Sequence, residues 1–318
     1  MKEKKILKTV MFMLAIFSYS YTSAQDDAQY TQYMYNTMTI NPAYAGTRSA
    51  LNVTGLHRTQ WVGLEGAPTT NTVSINAPVA ENMGLGLTVI NDRIGPSTEN
   101  KISIDYSYAI NTATNYKIAF GLKGTANILD IDFSKLNIYD PADPIFQYSI
   151  DKKISPNIGV GAYVYSDVSY FGISIPNMLE TSHFDKSVSD QVDNHIIKQR
   201  MHYYIMAGYV FDLYEHLDFS VWFKPAVLVK HVEGAPMQVD LSANFLFNEK
   251  FSAGMAYRLN SGVSAILGFQ ASDSWFIGYA YDAETTKLAN YNSGSHEIFL
   301  RFELFSKPMS RMMSNRYF

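Results

Sequence analysis

From Lys101 onward the chain changes character with every residue, Ile102, Ile104, Tyr106, Tyr108 and Ile110 alternating with Ser103, Asp105, Ser107 and Ala109. A period of two puts each set on its own face of a strand, whereas a helical face recurs every 3.6 residues. The pattern returns in Tyr116, Ile118, Phe120 and Leu122 against Lys117, Ala119, Gly121 and Lys123. It returns again in Phe219, Val221, Phe223, Val227 and Val229, in Val239, Leu241, Ala243, Phe245 and Phe247, and in Ile298, Leu300, Phe302 and Leu304 set against Glu297, Arg301 and Glu303. The sequence predicts about fourteen such strands: 50–59, 70–78, 83–91, 101–110, 116–127, 157–165, 168–175, 202–211, 217–229, 237–247, 251–259, 263–270, 275–282 and 295–305. An even number lets an antiparallel sheet close on itself.

A soluble sandwich alternates too, so composition has to separate the two. Charged residues make up 17% of the chain and aromatic residues 14%, where soluble domains carry about a quarter charged residues. Many apolar faces end in Tyr, Phe or Trp, as the interfacial girdle of a membrane barrel requires. The expected fold is therefore all-β: a transmembrane antiparallel outer-membrane β-barrel of about fourteen strands. The connections agree. Every second one is short, at Glu81-Asn82, 112–115, Ser166-Asp167, 212–216, 248–250 and 272–274, while the alternate set is mostly longer, with 128–156 and 176–201 the extremes and 260–262 a short exception. Short turns belong to the periplasmic side and long loops to the outside, which puts both termini in the periplasm.

The first residues read as an export signal. Lys2, Lys4, Lys5 and Lys8 precede the apolar run Val10–Phe17, and Thr22-Ser23-Ala24 supplies small residues for cleavage near Ala24. The expected division is a signal peptide at 1–24, an N-terminal segment at 25–48, the barrel at 49–306 and a short periplasmic tail at 307–318. Within 28–39, Tyr30, Tyr33, Met34 and Met38 follow helical spacing. They suit a short helix or compact plug in the periplasmic half of the lumen, or else a loose periplasmic tail. The chain has no cysteine, so neither lipoprotein attachment nor disulfides contribute. A net charge of -4 without a basic cluster gives no support for nucleic-acid binding.

Chemistry is hard to place anywhere. His57, His183, His195, His202, His216, His231 and His296 show no metal-ligand spacing. Asp130, Asp132, Asp140 and Asp143 lack the spacing and closing Glu of a calcium loop. Gly84 and Gly86, and Gly159 and Gly161, lie inside strands, where they relieve crowding on an inner wall rather than cradle phosphate. His296 and Glu297 are adjacent in a strand and face opposite ways. With no nucleophile and base set together, no catalytic, cofactor or metal residue is assigned and no enzymatic role is expected. Charges expected on the inward face are of both signs, Asp105, Lys117, Lys123, Asp218, Lys224, Asp240, Arg258, Glu297, Arg301 and Glu303. Pairing across a filled lumen suits that mixture better than an ion-selective pore, which would favour one sign.

The stretch 41–70, NPAYAGTRSALNVTGLHRTQWVGLEGAPTT, reads as a barrel entrance. Asn41-Pro42 restricts the backbone, Ala43, Ala45 and Gly46 allow close approach at the rim, Trp61 suits the far membrane interface, and Gly63, Gly66 and Pro68 turn the chain back. Arg58 and Glu65 would pair across that loop or else stand as two separate solvated charges. Together with QYTQYMYNTMTINPAYAG and HRTQWVGLEGAPTT, which includes Gln60, the segments NDRIGPSTENKISIDYSY, LDIDFSKL, SPNIGVGAYVYS, FGISIPNML, GAPMQVDLSANFLF and YDAETTKLANYNSGSHEI closely resemble the PorP/SprF family of type IX secretion and gliding motility. The resemblance covers essentially the whole mature chain. It implies an outer-membrane protein that supports export and surface anchoring of a large adhesin bearing a type B C-terminal domain. Its partners would be that domain, periplasmic motility or secretion components, and outer-membrane lipid. Phe133, Tyr139, Phe146, Met178, Leu179 and Phe184, in the two longest loops, are expected either to contact the partner or to fold back and lid the barrel. The competing readings are a channel or transporter for a lipid or small solute, an outer-membrane hydrolase, and a soluble secreted β-protein.

Overall fold

The computed structural model describes residues 28–48, 50–136, 149–180, 200–216 and 219–304. The expected cleavage site near Ala24 and the tail 307–318 lie outside them. Among the described residues the chain forms fourteen antiparallel strands: β1 (Leu51–Thr59), β2 (Thr69–Ala80), β3 (Met83–Ile94), β4 (Ser97–Asn111), β5 (Lys117–Ile131), β6 (Ile150–Tyr165), β7 (Ser169–Ile175), β8 in two pieces (His202–Tyr209 and Phe211–His216), β9 (Phe219–Val232), β10 (Gln238–Phe247), β11 (Phe251–Arg258), β12 (Gly262–Gln270), β13 (Trp275–Glu284) and β14 (Ser295–Leu304). Each pairs with the next, and β14 pairs back onto β1 from Leu51↔Leu304 to Thr59↔His296. The sheet is closed, so no edge strand is left unpaired.

Burial is inverted relative to a soluble protein. Ile102 and Ile104 are 43% and 62% exposed, whereas their neighbours Ser103 and Asp105 are 4% and 0% exposed. In a closed barrel the exposed face is the outer one, and here it is the apolar one, which suits lipid. Outward rings near the short-turn end form a row across neighbouring strands, Phe211, Phe223, Phe245, Phe247 and Phe251 following one another at centroid distances of 4.9 to 6.4 Å. Tyr203, Tyr279 and Tyr281 pack beside His231 and His296 near the other end. Amphipathic rings favour these depths, where one edge meets lipid and the other water.

Several strands outrun their apolar pattern. β3 and β4 continue through 92–100 and turn at Gly95-Pro96, with Ile94 paired to Ser97, so the connection expected there reduces to two residues. β8 continues through 212–216, which the sequence reads as a turn. Its pairing with β9 lapses at Tyr209 and Val210, which the register, Gly208↔Ala226 above and Phe211↔Phe223 below, sets opposite Pro225 and Lys224. Proline has no N–H to donate to the ladder.

One further pass of the chain lies inside the barrel. Residues 30–45 are buried almost without interruption, in three single 3₁₀ turns, Tyr33–Tyr35, Thr37–Thr39 and Pro42–Tyr44. The helical spacing of Tyr30, Tyr33, Met34 and Met38 therefore produces no α-helix. All sides of the segment are covered, because the wall surrounds it.

The segment also runs the length of the lumen rather than occupying the periplasmic half. Gln29 meets Arg258 at the long-loop end, and Arg48 meets Glu303, one residue from the end of β14, at the short-turn end. The first and last described residues thus lie at opposite ends of the barrel, whereas the two chain termini expected on one side lie outside the described residues. A fully paired closed sheet should keep its fold in mild detergent. Unheated protein should migrate differently from boiled protein on a gel and give a β-type circular dichroism spectrum; identical mobility with a helical spectrum would contradict the fold.

Candidate functional site

The inward face supplies polar and charged side chains, and the internal segment supplies the groups that satisfy them. At the long-loop end Glu297, with no exposed surface, accepts the backbone N–H groups of Thr31 and Gln32 at 2.9 and 2.8 Å, one on each oxygen. Arg58, directly opposite Glu297 in the β1–β14 register, lies 3.1 Å from it and 2.7 Å from Asp282. Thr31 Oγ1 donates to Asp282. Arg258 holds Asp240 in a two-pronged pair at 2.9 and 3.0 Å and donates to Gln29 Oε1 at 2.9 Å. A buried charge persists only where such pairing and hydrogen bonding replace water.

Midway along the axis Lys123 pairs with Asp105 at 3.2 Å and donates to the carbonyls of Met38 and Thr39. Asn41 caps the third 3₁₀ turn by accepting Ala43 N–H at 3.0 Å, and its amide donates to the Ala162 carbonyl of β6 at 3.1 Å. Ser174 and Ser107 donate to the carbonyls of Ile40 and Ala45. At the short-turn end Arg48 pairs with Glu303, and Arg301 stacks over Phe276, 5.0 Å from the ring centre. Tyr35 packs against Phe276 and Phe299 at 5.0 and 5.5 Å. Each large apolar side chain so buried, Met38 at 0% and Met34 at 2% exposure among them, contributes roughly 1.5–3 kcal/mol relative to exposure.

The wall is shaped to admit this segment. A Cβ at Gly84 would overlap the Ala45 carbonyl, one at Gly121 would overlap Pro42 and Ala43, and one at Gly161 would overlap the Asn41 side chain. The first two provide room for a second backbone and the third for the side chain that caps its last turn. On the β9–β12 side a cavity remains, lined by Met34, Trp222, Lys224, Asn244 and Ser252.

Most residues of the 41–70 stretch are placed, but not always as expected. Asn41, Pro42, Ala43 and Ala45 are buried inside the lumen instead of sitting at the rim. Gly46 adopts φ +70° beside Gly84. Arg58 points inward to Asp282 and Glu297 while Glu65 is exposed, so the Arg58–Glu65 pair does not form. Gln60 N–H donates to the Pro68 carbonyl, closing the first long loop. Gly63 and Gly66 turn that loop with φ +101° and +75°. Trp61 is half-buried and donates its indole N–H to Glu284, the last residue of β13, at 2.9 Å. Outside this rim runs a groove lined by Trp61, Leu64, Asn71, Asn91 and Arg93.

Of the expected loop contacts, Phe133 is withdrawn into a small core with Leu129 and Ile131. Leu179 is 43% exposed, its backbone held at both N–H and carbonyl by the Asn157 side chain, and Met178 is half-buried. Tyr139, Phe146 and Phe184 lie outside the described residues. Lys117 sits exposed at the start of β5 rather than inside, and Asp218 is not described. No cluster of metal-ligating side chains occurs among the described residues.

Valine at Gly121 should displace the internal segment without opening the barrel, since a β-branched residue suits a strand. Heat-modifiable mobility should persist while limited proteolysis begins to cut within 28–48. Gly124→Val, with nothing near its added Cβ, should leave the cleavage pattern unchanged.

Among solved structures the chain is similar to the CymD monoaromatic hydrocarbon channel, at 14% identity and a TM-score of 0.48, covering 86% of this chain and 92% of that one. It is similar to the Ralstonia pickettii toluene transporter TbuX at 9% identity and a TM-score of 0.48, covering 89% and 95%. A third likeness is to the Acinetobacter baumannii outer membrane protein Omp33, at 8% identity and a TM-score of 0.43, covering 81% and 100%. No curated protein matches the sequence. The family model for the type IX secretion system membrane protein PorP/SprF matches residues 22–302, and with an outer-membrane β-barrel built from those same residues, this chain belongs to the PorP/SprF family.

Proposed function

We propose that this barrel is a non-enzymatic anchoring component of type IX secretion, supporting export and surface attachment of a large adhesin through a type B C-terminal domain. The observation that carries the reading is the occupied lumen. Residues 30–45 are buried within the wall and tied to it by Glu297, Lys123 and Ser107 along the way. A bulk-solute conduit requires an open path, whereas a scaffold benefits from a rigid filled interior that holds its loops in place. The long-loop mouth is correspondingly braced: Val62 N–H donates to the Gly294 carbonyl, the Val62 carbonyl accepts Ser293 N–H, and Gly95 N–H donates to the Gly66 carbonyl. Periplasmic motility or secretion components would meet the short-turn end.

Two measurements test this. Shortening 176–201 in a barrel that remains heat-modifiable should release the adhesin into the medium, whereas full surface retention would count against that loop as the attachment site. Removing residues 26–38 deletes much of the lumen filling, and conductance across a planar bilayer should rise. An intact barrel that already conducts and does not change would reject the plug and favour a channel for a lipid or small solute.

A further inference from the structure

Fourteen wall strands return the chain to the end at which it began, and Leu51 is accordingly paired with Leu304. The internal segment adds a fifteenth crossing. Its contacts are ordered along the barrel axis without a reversal. Gln29 reaches Arg258, whose strand ends at the turn 259–261. Tyr30 bonds Thr72 at 3.0 Å, and Thr31 bonds Asp282, both close to the long-loop ends of their strands. Asn36 accepts from Ser74, Met38 lies against Gly86, and Ala45 meets Ser107 beside the turn that follows β4. Arg48 arrives at Glu303.

An odd number of crossings leaves the two ends of a chain on opposite sides. We infer that residues 28–48 are threaded through the lumen, so that Ala28 and Gln29 open on the long-loop mouth and form part of the cell-surface face, opposite to Leu304. Long loops face the medium in outer-membrane barrels. Any partner docking on the loops therefore also meets the leading end of the internal segment, whose other end, Arg48, sits beside Glu303 at the short-turn mouth. The inference concerns the path of the chain and stands whether or not an adhesin is the partner.

The chain contains no cysteine, so single thiols report their side of the membrane without background. Ala28→Cys, Lys287→Cys in the last long loop and Thr114→Cys in a short turn would be treated on intact cells with a charged, membrane-impermeant maleimide. Ala28→Cys, half-buried, should label on intact cells as the exposed Lys287→Cys does, though more slowly, and Thr114→Cys only after permeabilisation. Ala28→Cys segregating with Thr114→Cys would overturn the threading, and a Lys287→Cys silent on intact cells would overturn the surface placement. A peptide epitope inserted before Ala28 gives a reading independent of thiol burial. Antibody binding to intact cells supports the path, and binding confined to permeabilised cells overturns it.

Discussion

A wall that lipid covers must be apolar on the outside and must pair every backbone group within itself. Strand geometry then sends every second side chain inward, so whatever polarity the wall carries collects in the lumen. The rest of this molecule follows from that constraint. Asp105, Lys123, Glu297 and Arg301 are each 6% exposed or less, and none would persist as an isolated charge in so enclosed a space. Wall pairs such as Lys123–Asp105 and Arg58–Glu297 answer part of the need. The backbone of 28–48 answers much of the remainder, offering N–H groups to a carboxylate and carbonyls to an ammonium. An irregular segment suits the task better than a helix, whose backbone groups are already bonded to one another.

The filled lumen distinguishes this PorP/SprF barrel from an open pore in physical terms. Glu297 and Lys123 each bind both the opposite wall charge and the internal segment, so removing one partner exposes another unpaired charge. Breaking such a buried arrangement by truncating one side chain typically costs about 3–5 kcal/mol. The glycines at 84, 121 and 161 add shape to charge, since the first two mark places where two backbones touch and the third makes room for the Asn41 side chain.

Much of the wall is legible in the sequence because lipid imposes the alternation. Where the wall rises out of the lipid that imprint ends, although the hydrogen-bond ladder continues. Asn91 and Asn100 still face each other across β3 and β4, joined by their amides at 2.8 Å, but in NDRIGPSTEN no apolar alternation remains to announce a strand. The mixed inward charges are readable as a set, whereas their partners are not. Arg58 finds Glu297, 239 positions away, in preference to Glu65 in the next loop, because closure of β14 onto β1 makes the distant residue its direct neighbour. The 41–46 stretch reads as a rim because small residues next to Pro suit any tight passage; only the surrounding wall reveals that the passage is the lumen itself. The helical spacing of Tyr30, Tyr33, Met34 and Met38 misleads for a related reason. Periodicity reports a segment with one buried face, and this segment is buried on all of them.

The seat of the internal segment bears on the order of folding. Thr31 and Gln32 are synthesised first, yet the carboxylate that receives them belongs to the last strand, 266 and 265 positions later. Arg48 likewise waits for Glu303. Both carboxylates lie on β14, whose partner at the seam is β1. Contacts of such long sequence separation form late, since the entropy of closing the intervening chain must be met first. Seating of the segment and closure of the barrel therefore become one event at one seam, and a barrel that fails to zip there would leave Glu297 without Arg58 and the N–H groups of Thr31 and Gln32, and Glu303 without Arg48. That coupling gives the cell a chemical difference between a finished barrel and an unfinished one.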